Sequence, residues 1–224
     1  MLAFAHLSCA LQPVSRPRLS RRAFVAGGAS LASLGAANRP TAAVADEPEP
    51  EAAAKLLSLV EGRRAQQWRP EERAEIDRLI EEVVALKAPW VRDDLRGKWK
   101  LAYLQPGPDG AGVDRRIPFP ELPWNDSFQI FGVDTVVNVG ELLGPALEVR
   151  VSGGLSEDDR SDLTAPKRFR AEITQGQLCL FNGACAPLPI KGEGIFDGVY
   201  LGKRLRIGQN LNGGGARIVQ VRVS

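Results

Sequence analysis

The sequence predicts a mainly β fold, in which an antiparallel β-barrel is preceded by an N-terminal helical unit. Apolar residues recur at three- and four-residue steps between residues 52 and 88, whereas after Pro89 they alternate with polar residues at a period of two. The alternating segments are short, follow one another closely and are separated by Gly and Pro. Such a series is typical of a closed or nearly closed barrel, because closure removes the exposed edges of a sheet.

Residues 1–45 contain no acidic residue. They carry five arginines, and Asp46 is the first acid of the chain. A folded surface mixes both charge signs, whereas segments read by import machinery exclude acids. We therefore predict that residues 1–45 are a targeting segment that is removed.

The targeting segment has two predicted parts. Residues 1–20 carry Ser and Arg, as plastid transit peptides do. The Arg21-Arg22 pair then precedes a small-residue apolar run and the cleavage pattern Ala43-Val44-Ala45, which resembles a twin-arginine signal. Together they predict a chloroplast protein of the thylakoid lumen; a single-stage transit peptide or a bacterial export signal is the alternative. The apolar run is shorter than the roughly 20 residues that span a bilayer, so no transmembrane helix is expected after cleavage.

The remaining 179 residues are enough for one domain with a hydrophobic core. They hold all 27 acidic residues but only 24 of the 29 basic ones, which gives a formal charge of −3. A chain with this charge gives no reason to expect a nucleic-acid partner.

Histidine chemistry is excluded after cleavage, because the only histidine is His6. The processed chain therefore has neither a Ser-His-Asp nor a Cys-His site. Two cysteines, Cys179 and Cys185, are too few for a four-Cys metal site. Gly213-Gly214-Gly215 lacks the following Lys of a phosphate-binding loop, so we expect no cofactor and no metal.

Residues 46–51 are acidic and contain proline, which is typical of a short linker, and two helices follow. The first covers residues 52–62 and ends at a glycine. The second begins with Pro70, which is tolerated at the first helical position, and its early Glu71 and Glu72 complement the helix dipole. Its apolar stripe predicts packing against strands and not membrane insertion. The stripe consists of Ile76, Leu79, Ile80, Val83, Val84 and Leu86.

The first strand places Trp99, Leu101 and Tyr103 on one face and Lys98 and Lys100 on the other. Further strands are predicted over residues 128–131, 135–139, 146–151, 168–174, 177–181, 195–201, 204–209 and 216–223. Residues 105–124 contain five prolines and cannot form a central strand. We predict a long loop over one mouth of the barrel.

Two patterns resemble known families. Gly97-Lys98-Trp99 is similar to the G-x-W that opens lipocalin-like barrels, in which the Trp packs at the closed end beneath an Arg from a late strand. The helices are followed, in this order, by the segments 95–103, 128–130 and 200–208, a Gly-rich turn and the segment 218–222. This order of segments resembles that of the plastid lipid-associated proteins, the fibrillins or plastoglobulins. Family members usually carry acids where this chain has Gly202-Lys203-Arg204.

The resemblance covers residues 52–224. It implies helices within 52–88 and a lipocalin-like barrel over 95–224. It also implies binding of a lipid or prenyl-type lipophile, contact with thylakoid membranes or plastoglobules, and no catalytic residues.

Apolar strand residues are the candidates for a ligand pocket. A small barrel either holds one apolar ligand or is filled by its own side chains, and alternation does not distinguish the two. For any single residue, core packing is more common than ligand contact. The inward candidates are Trp99, Leu101, Tyr103, Phe128, Ile130, Phe169, Phe181, Phe196, Leu205 and Ile207.

Three further residues have predicted structural roles. The lipocalin resemblance implies that Arg206 stacks on Trp99; a strand residue facing water is the alternative. Cys179 and Cys185 flank a hairpin signal at Asn182-Gly183. A two-residue loop would point the cysteines to opposite faces, whereas a three-residue loop ending at Gly183 would place them opposite each other and allow a disulfide, which an oxidising lumen favours.

The predicted function is non-enzymatic binding of a quinone, carotenoid or acyl lipid in the barrel. The alternative is a lumenal interaction or assembly factor for a photosynthetic membrane complex, with a filled barrel. Tryptophan is common among binding hot spots, and the candidate anchors are Trp68, Trp90 and Trp124. A third hypothesis is a lipophile isomerase or cyclase that uses a carboxylate. Its candidates are Glu148, Glu172 and Asp197.

Overall fold

The computed structural model describes residues 49–65, 68–108, 122–158, 163–212 and 214–223. The predicted targeting segment 1–45, half of the predicted linker and most of the predicted loop 105–124 lie outside these residues. Within the described residues, neither helix has the length and apolar character that a bilayer span requires.

The described residues form two α-helices and nine strands. Helix α1 spans Glu51–Val60 and α2 spans Pro70–Ala85, and a 3-10 helix over Arg92–Leu95 leads into the sheet. Both predicted helices are therefore confirmed: α1 begins one residue and ends two residues earlier than predicted, and α2 begins at the predicted Pro70 and ends three residues before 88. The strands are β1 Gly97–Gln105, β2 Ser127–Phe131, β3 Thr135–Glu141, β4 Leu147–Glu157, β5 Lys167–Leu180, β6 Cys185–Leu188, β7 Gly192–Leu201, β8 Leu205–Asn210 and β9 Arg217–Arg222.

Eight of the nine strands close into an antiparallel barrel. The strand order is β4-β3-β2-β1-β9-β8-β7-β5-β6, and an additional β4–β5 pairing joins the two sides. Strand β6 pairs with the second half of β5 and forms a hairpin that extends from the barrel wall. The predicted mainly β barrel with helices on its N-terminal side is confirmed.

Strand β5 is longer than the sequence predicted. The segments 168–174 and 177–181 were expected to be separate strands, but β5 is continuous. A register shift opposite Ser152 and Gly153 lets the β4–β5 ladder bend while it stays paired. Strand β6 was not predicted, because it is short and contains Pro187; an edge strand tolerates the missing N–H.

The two helices cover the outer face of β1, β7, β8 and β9. Most of the predicted stripe of α2 is buried, whereas Leu86, beyond the helix end, is 46% exposed. Trp68 packs in the same layer, and its Nε1 donates to the carbonyl of Ala102 at 3.0 Å. This sector of the sheet therefore has two buried faces. The sheet residues buried under the helices are Ala102, Tyr103, Val199, Tyr200, Leu205, Ile207, Val219 and Val221.

Both tyrosines of the chain lie in this helix-covered layer. The Tyr103 hydroxyl donates to Oδ1 of Asp77 at 2.8 Å. Burial raises the pKa of Tyr200 to about 12. Burial, together with the nearby Asp77 carboxylate, raises the pKa of Tyr103 well above its ordinary value.

The raised pKa values predict that neither tyrosine ionises before the protein unfolds. Unfolded tyrosine titrates near pH 10, so the stability linked to the protonated phenols is fully present below about pH 10 and is lost as the pH rises through the folded-state values. A tyrosinate absorbance titration should show no ionisation of the native protein at about pH 10.5, whereas denatured protein is more than half ionised there. A native titration with its midpoint near about 10, before circular dichroism changes, would contradict the burial of both phenols.

One end of the barrel is filled by side chains. At this end β1 begins, β2 ends and β8 begins. Trp99 is completely buried there and its Nε1 donates to the carbonyl of Leu95 at 2.8 Å. Phe169 stacks on Phe196 with 5.3 Å between ring centroids. We call this group the aromatic plug; its members include Trp90, Leu95, Trp99, Phe131, Phe169 and Leu201.

Candidate binding cavity in the barrel

The barrel interior contains a cavity of about 70 Å³. It lies in the half of the barrel opposite the closed end, where β1 ends, β2 begins and β8 ends. One part of its wall is apolar, formed by Leu101, Val136, Ala171, Phe196 and Ile218. Another part is polar, formed by Ser127, Gln129, Asn138, Arg206, Asn210 and Gln220.

Strand registers bring the polar side chains to one level of the barrel. Arg206 of β8 stands opposite Gln220 of β9, which stands opposite Leu101 of β1. On the other side of β1, Gln129 stands opposite Asn138. Residues directly opposite in a ladder share a face of the sheet, so these side chains all face the interior.

Arg206 is the centre of a buried hydrogen-bond network. Its Nη1 donates to Oε1 of Gln129 at 2.9 Å and also to Oε1 of Gln220. The Gln129 amide in turn donates to Oδ1 of Asn138 at 2.7 Å. Two amide oxygens therefore occupy one end of the guanidinium, and no described carboxylate forms an ion pair with it.

The rest of the guanidinium lies between aromatic rings and has unused donors. Its Cζ is 4.5 Å from the ring centroid of Phe131 and 5.4 Å from that of Phe196, which stabilises the cation. Nε and Nη2 are buried and have no hydrogen-bond partner among the described residues. Burial lowers the pKa of Arg206 to about 9, so the side chain is still charged at neutral pH.

Four of the predicted pocket residues lie in the barrel interior. Leu101 and Phe196 line the cavity. Trp99 and Phe169 belong to the aromatic plug.

The predicted inward orientation is wrong for Tyr103, Leu205 and Ile207. All three pack under the helices on the outer face. A bulge in β1 between Leu101 and Tyr103 moves these two side chains to opposite faces. In β8 the apolar residues face the helices and Arg206 faces the interior. In a sheet with only one buried face the apolar residues would face the interior and the charged residue would face solvent.

The inward orientation predicted for Phe128 and Ile130 is also wrong. They stand opposite Lys100 and Lys98 on the outer face of β1. Phe128 borders the cavity, but the Lys98 ammonium lies 4.0 Å from the centroid of its ring. Gln129, between the two, occupies the inward position.

The remaining apolar candidate, Phe181, lies in the loop of the β5–β6 hairpin. This loop comprises the three residues 181–183, and Gly183 has a φ of +84°. Cys179 and Cys185 stand directly opposite each other and form a disulfide, so the three-residue alternative is the one that the structure shows. Phe181 is the first loop residue and is 80% exposed, so its predicted inward orientation is wrong.

We expect the free energy of unfolding to fall measurably when the disulfide is reduced. Replacing Cys185 with Ser should lower the free energy of unfolding by roughly 2 kcal/mol, because a cross-link over so short a loop restricts the unfolded chain. Urea denaturation of the oxidised protein, the reduced protein and the variant measures this. The reduced protein should match the variant, and reducing agent should not change the variant. Two titratable thiols at these positions in unreduced, denatured protein would contradict the bridge.

A different arginine from the predicted one stacks on Trp99. The Cζ of Arg222 is 4.3 Å from the Trp99 ring centroid, so the stack predicted for Arg206 is wrong. The alternative that Arg206 faces water is wrong as well, because its side chain is completely buried. The Arg222 guanidinium is also held by the backbone carbonyls of Asp94, Arg96 and Lys203.

The residues of the other two functional hypotheses lie away from the cavity. Trp68 and Trp90 are buried, and of the three predicted anchors only Trp124 is exposed. The carboxylates do not converge: Asp197 accepts from Arg168 at 2.9 Å and Glu148 accepts from Arg150. Glu172 is exposed on β5.

The cavity combines an apolar wall with a buried, singly charged donor. Among the described residues that line it there is no carboxylate, so it offers binding groups but no general acid or base of that kind. No family model matches the sequence, and neither a curated protein nor a solved structure is significantly similar to the chain.

Proposed function

We propose that the protein is a non-enzymatic binder of a lipophilic small molecule, which it holds in the barrel cavity. The observation that carries the proposal is the hollow of about 70 Å³ between an apolar wall and a buried polar cluster. Small-molecule sites are usually concave, mostly apolar and provided with a few placed polar groups. The resemblance to the plastid lipid-associated proteins supports the same function.

The volume of the cavity favours a ligand of which only one end is enclosed. An apolar protein cavity of about 150 Å³ holds a benzene molecule, about twice the 70 Å³ found here. The aromatic plug fills the opposite half of the barrel, so a ligand has to enter from the end where β1 ends. The end of an acyl chain suits this space better than a quinone ring, which is at least as large as benzene, or an entire carotenoid.

Two glycines provide a matched test of the cavity. A Cβ added at Gly194, which lines the cavity, meets no atom within 4 Å. A Cβ at Gly154 also meets no atom within 4 Å, but Gly154 stands opposite Thr135 and Glu172 on the outer face. A leucine therefore fills the cavity at the first position and leaves it open at the second.

Gly194→Leu is expected to weaken ligand binding and Gly154→Leu to leave it unchanged. We would titrate the full chain with decanol and with decanoate by isothermal calorimetry. At least one should bind with one molecule per chain, and Gly194→Leu should reduce its affinity about tenfold or more, because excluding even one or two methylenes from an apolar site costs about 1 to 2 kcal/mol. Binding that is absent from the wild type, or equal in all three proteins, would refute the proposed function.

We extend the proposal to a location in the chloroplast, in the thylakoid lumen, with peripheral membrane or plastoglobule contact. The acid-free, arginine-containing segment 1–45 and its Arg21-Arg22 pair support this. The Cys179–Cys185 disulfide supports it as well, because disulfides persist in oxidising compartments. Import of the full chain into isolated chloroplasts should yield a shortened product that protease does not reach in intact thylakoids. A product digested under these conditions would refute the lumenal location.

A second candidate function, docking on a photosynthetic membrane complex, is favoured by exposed apolar residues around one turn. Trp124 is 53% exposed, Leu143 55% and Phe181 80%. They belong to neighbouring segments, since the Phe181 N–H donates to the carbonyl of Ala146 at 3.1 Å and the Trp124 ring lies beside Gly144. Co-purification with such a complex that is lost in a Trp124→Ala, Phe181→Ala variant and retained in Gly194→Leu would select this function.

A further inference from the structure

We propose that Arg206 binds the carboxylate of the ligand, so that the ligand class is a long-chain carboxylic acid held head first in the barrel. This inference rests on the proposed function, because it requires that the cavity accepts the end of a lipophile. It adds the chemical identity of that end and the atoms that bind it.

The free edge of the guanidinium has the geometry that a carboxylate requires. Nη1 is already used by Gln129 and Gln220. The two donors without a partner are Nε and Nη2, whose N–H bonds lie side by side on one edge of the planar group. A carboxylate accepts two parallel hydrogen bonds from this edge, and such bidentate, charge-assisted pairs are the strongest that arginine forms.

The charge of Arg206 points to an anionic ligand. The side chain is completely buried, and its Nη1 partners are neutral amides. A buried charge without a counterion is costly, and buried charges are ordinarily paired. The described residues supply no carboxylate to this guanidinium, so a ligand with one negative charge would complete the site.

The residue beside Nη2 of Arg206 is a glycine, which has no side chain to crowd that nitrogen. Gly208 lines the cavity, and a Cβ there would lie 3.2 Å from Nη2 of Arg206. A larger residue would cover this edge. The neighbouring cavity wall is formed by Leu101, Phe196 and Ile218, which suits an acyl chain next to its carboxylate.

A monocarboxylate satisfies the site better than the two nearest alternatives. A ketone or quinone carbonyl offers one oxygen and no charge, so it would leave one donor and the cation uncompensated. A phosphate dianion carries more charge than one guanidinium balances and has further oxygens, which the apolar wall would leave without donors.

The test compares two ligands that differ only in the head group. Decanoate and decanol are titrated separately into the wild type, Arg206→Met, Arg206→Lys and the surface control Arg150→Met. The wild type should prefer decanoate by about 10- to 100-fold, as expected for a charge-assisted pair. Arg206→Met should abolish the preference while still binding decanol, Arg206→Lys should keep part of it, and Arg150→Met should behave as the wild type.

The outcomes separate this inference from the proposed function. Equal affinity of the wild type for the two ligands, with decanol binding blocked by Gly194→Leu, would overturn the carboxylate assignment and leave the lipophile-binding function intact. Binding of neither ligand would overturn both. If Arg206→Met does not fold, the NMR shift of the carboxyl carbon of bound decanoate decides: it should stay that of the ionised acid below the free acid's pKa. A bound acid that titrates like the free acid would overturn the assignment.

Discussion

Replacing Trp99 with alanine should lower the free energy of unfolding by about 4 kcal/mol, as truncation of a buried tryptophan does. The indole is completely buried in the aromatic plug. Its Nε1 donates to the carbonyl of Leu95 at 2.8 Å, and the Arg222 guanidinium lies over its ring. The substitution removes the apolar contacts, the hydrogen bond and the stack together, and leaves a void at the closed end.

Trp124→Ala is the matched control for this loss. Trp124 is half exposed, so its replacement should cost less than about 1 kcal/mol. Trp99→Phe keeps a ring but loses the N–H donor, and should fall between the two. Urea denaturation of the three variants measures the order of their losses in free energy of unfolding. Equal losses for Trp99→Ala and Trp124→Ala would contradict the assignment of the filled end.

Replacing Arg206 with methionine should have opposite effects on stability and on ligand binding. We expect the free energy of unfolding of the unliganded protein at pH 7 to rise by about 1–3 kcal/mol, because an uncompensated buried charge is replaced by an apolar chain of similar length. This gain in stability is reduced because the side-chain amides of Gln129 and Gln220 lose the hydrogen bonds that they accept from Arg206. The preference for decanoate should disappear in the same variant.

The stability difference between Arg206→Met and the wild type should depend on pH. Burial lowers the pKa of Arg206 to about 9, well below its ordinary value in an unfolded chain. Between these values the unfolded state binds more protons, so the contribution of Arg206 to stability rises with pH. The advantage of the methionine variant should therefore shrink above about pH 9. A variant that is less stable than the wild type at pH 7 would show that the guanidinium stabilises the empty barrel.

The secondary structure could be predicted because its signals are local. Period-two alternation in β1 and β8, and the stripe of α2 with Pro70 at its start, each depend on neighbours in sequence. The separation of β5 into two strands was wrong because a bulge in a ladder depends on the partner strand.

The face that each strand turns inward could not be predicted from alternation. In β8 the pattern Leu205-Arg206-Ile207 separates two faces correctly, but the rule that apolar residues face the barrel interior fails where helices bury the outer face. Arg206 then faces the interior and its apolar neighbours do not. The sequence signal that could have indicated this is the stripe of α2, since a helix that needs an apolar surface must cover one on the sheet.

The binding site itself depends on contacts between residues far apart in sequence. Gln129, Arg206 and Gln220 belong to three strands, and only the barrel registers bring them to one level. Nε and Nη2 of Arg206 have no partner because no described residue offers them an acceptor. This can be seen only when the whole hydrogen-bond network is known.

A crystal structure of the protein with decanoate would show whether the barrel cavity and Arg206 hold the ligand. We expect one decanoate in the barrel, with its two carboxylate oxygens at hydrogen-bond distance, about 2.7–2.9 Å, from Nε and Nη2 of Arg206, and its chain against Leu101, Phe196 and Ile218. An empty barrel in crystals grown with saturating decanoate, or a decanoate bound only on the surface around Trp124 and Phe181, would contradict this expectation.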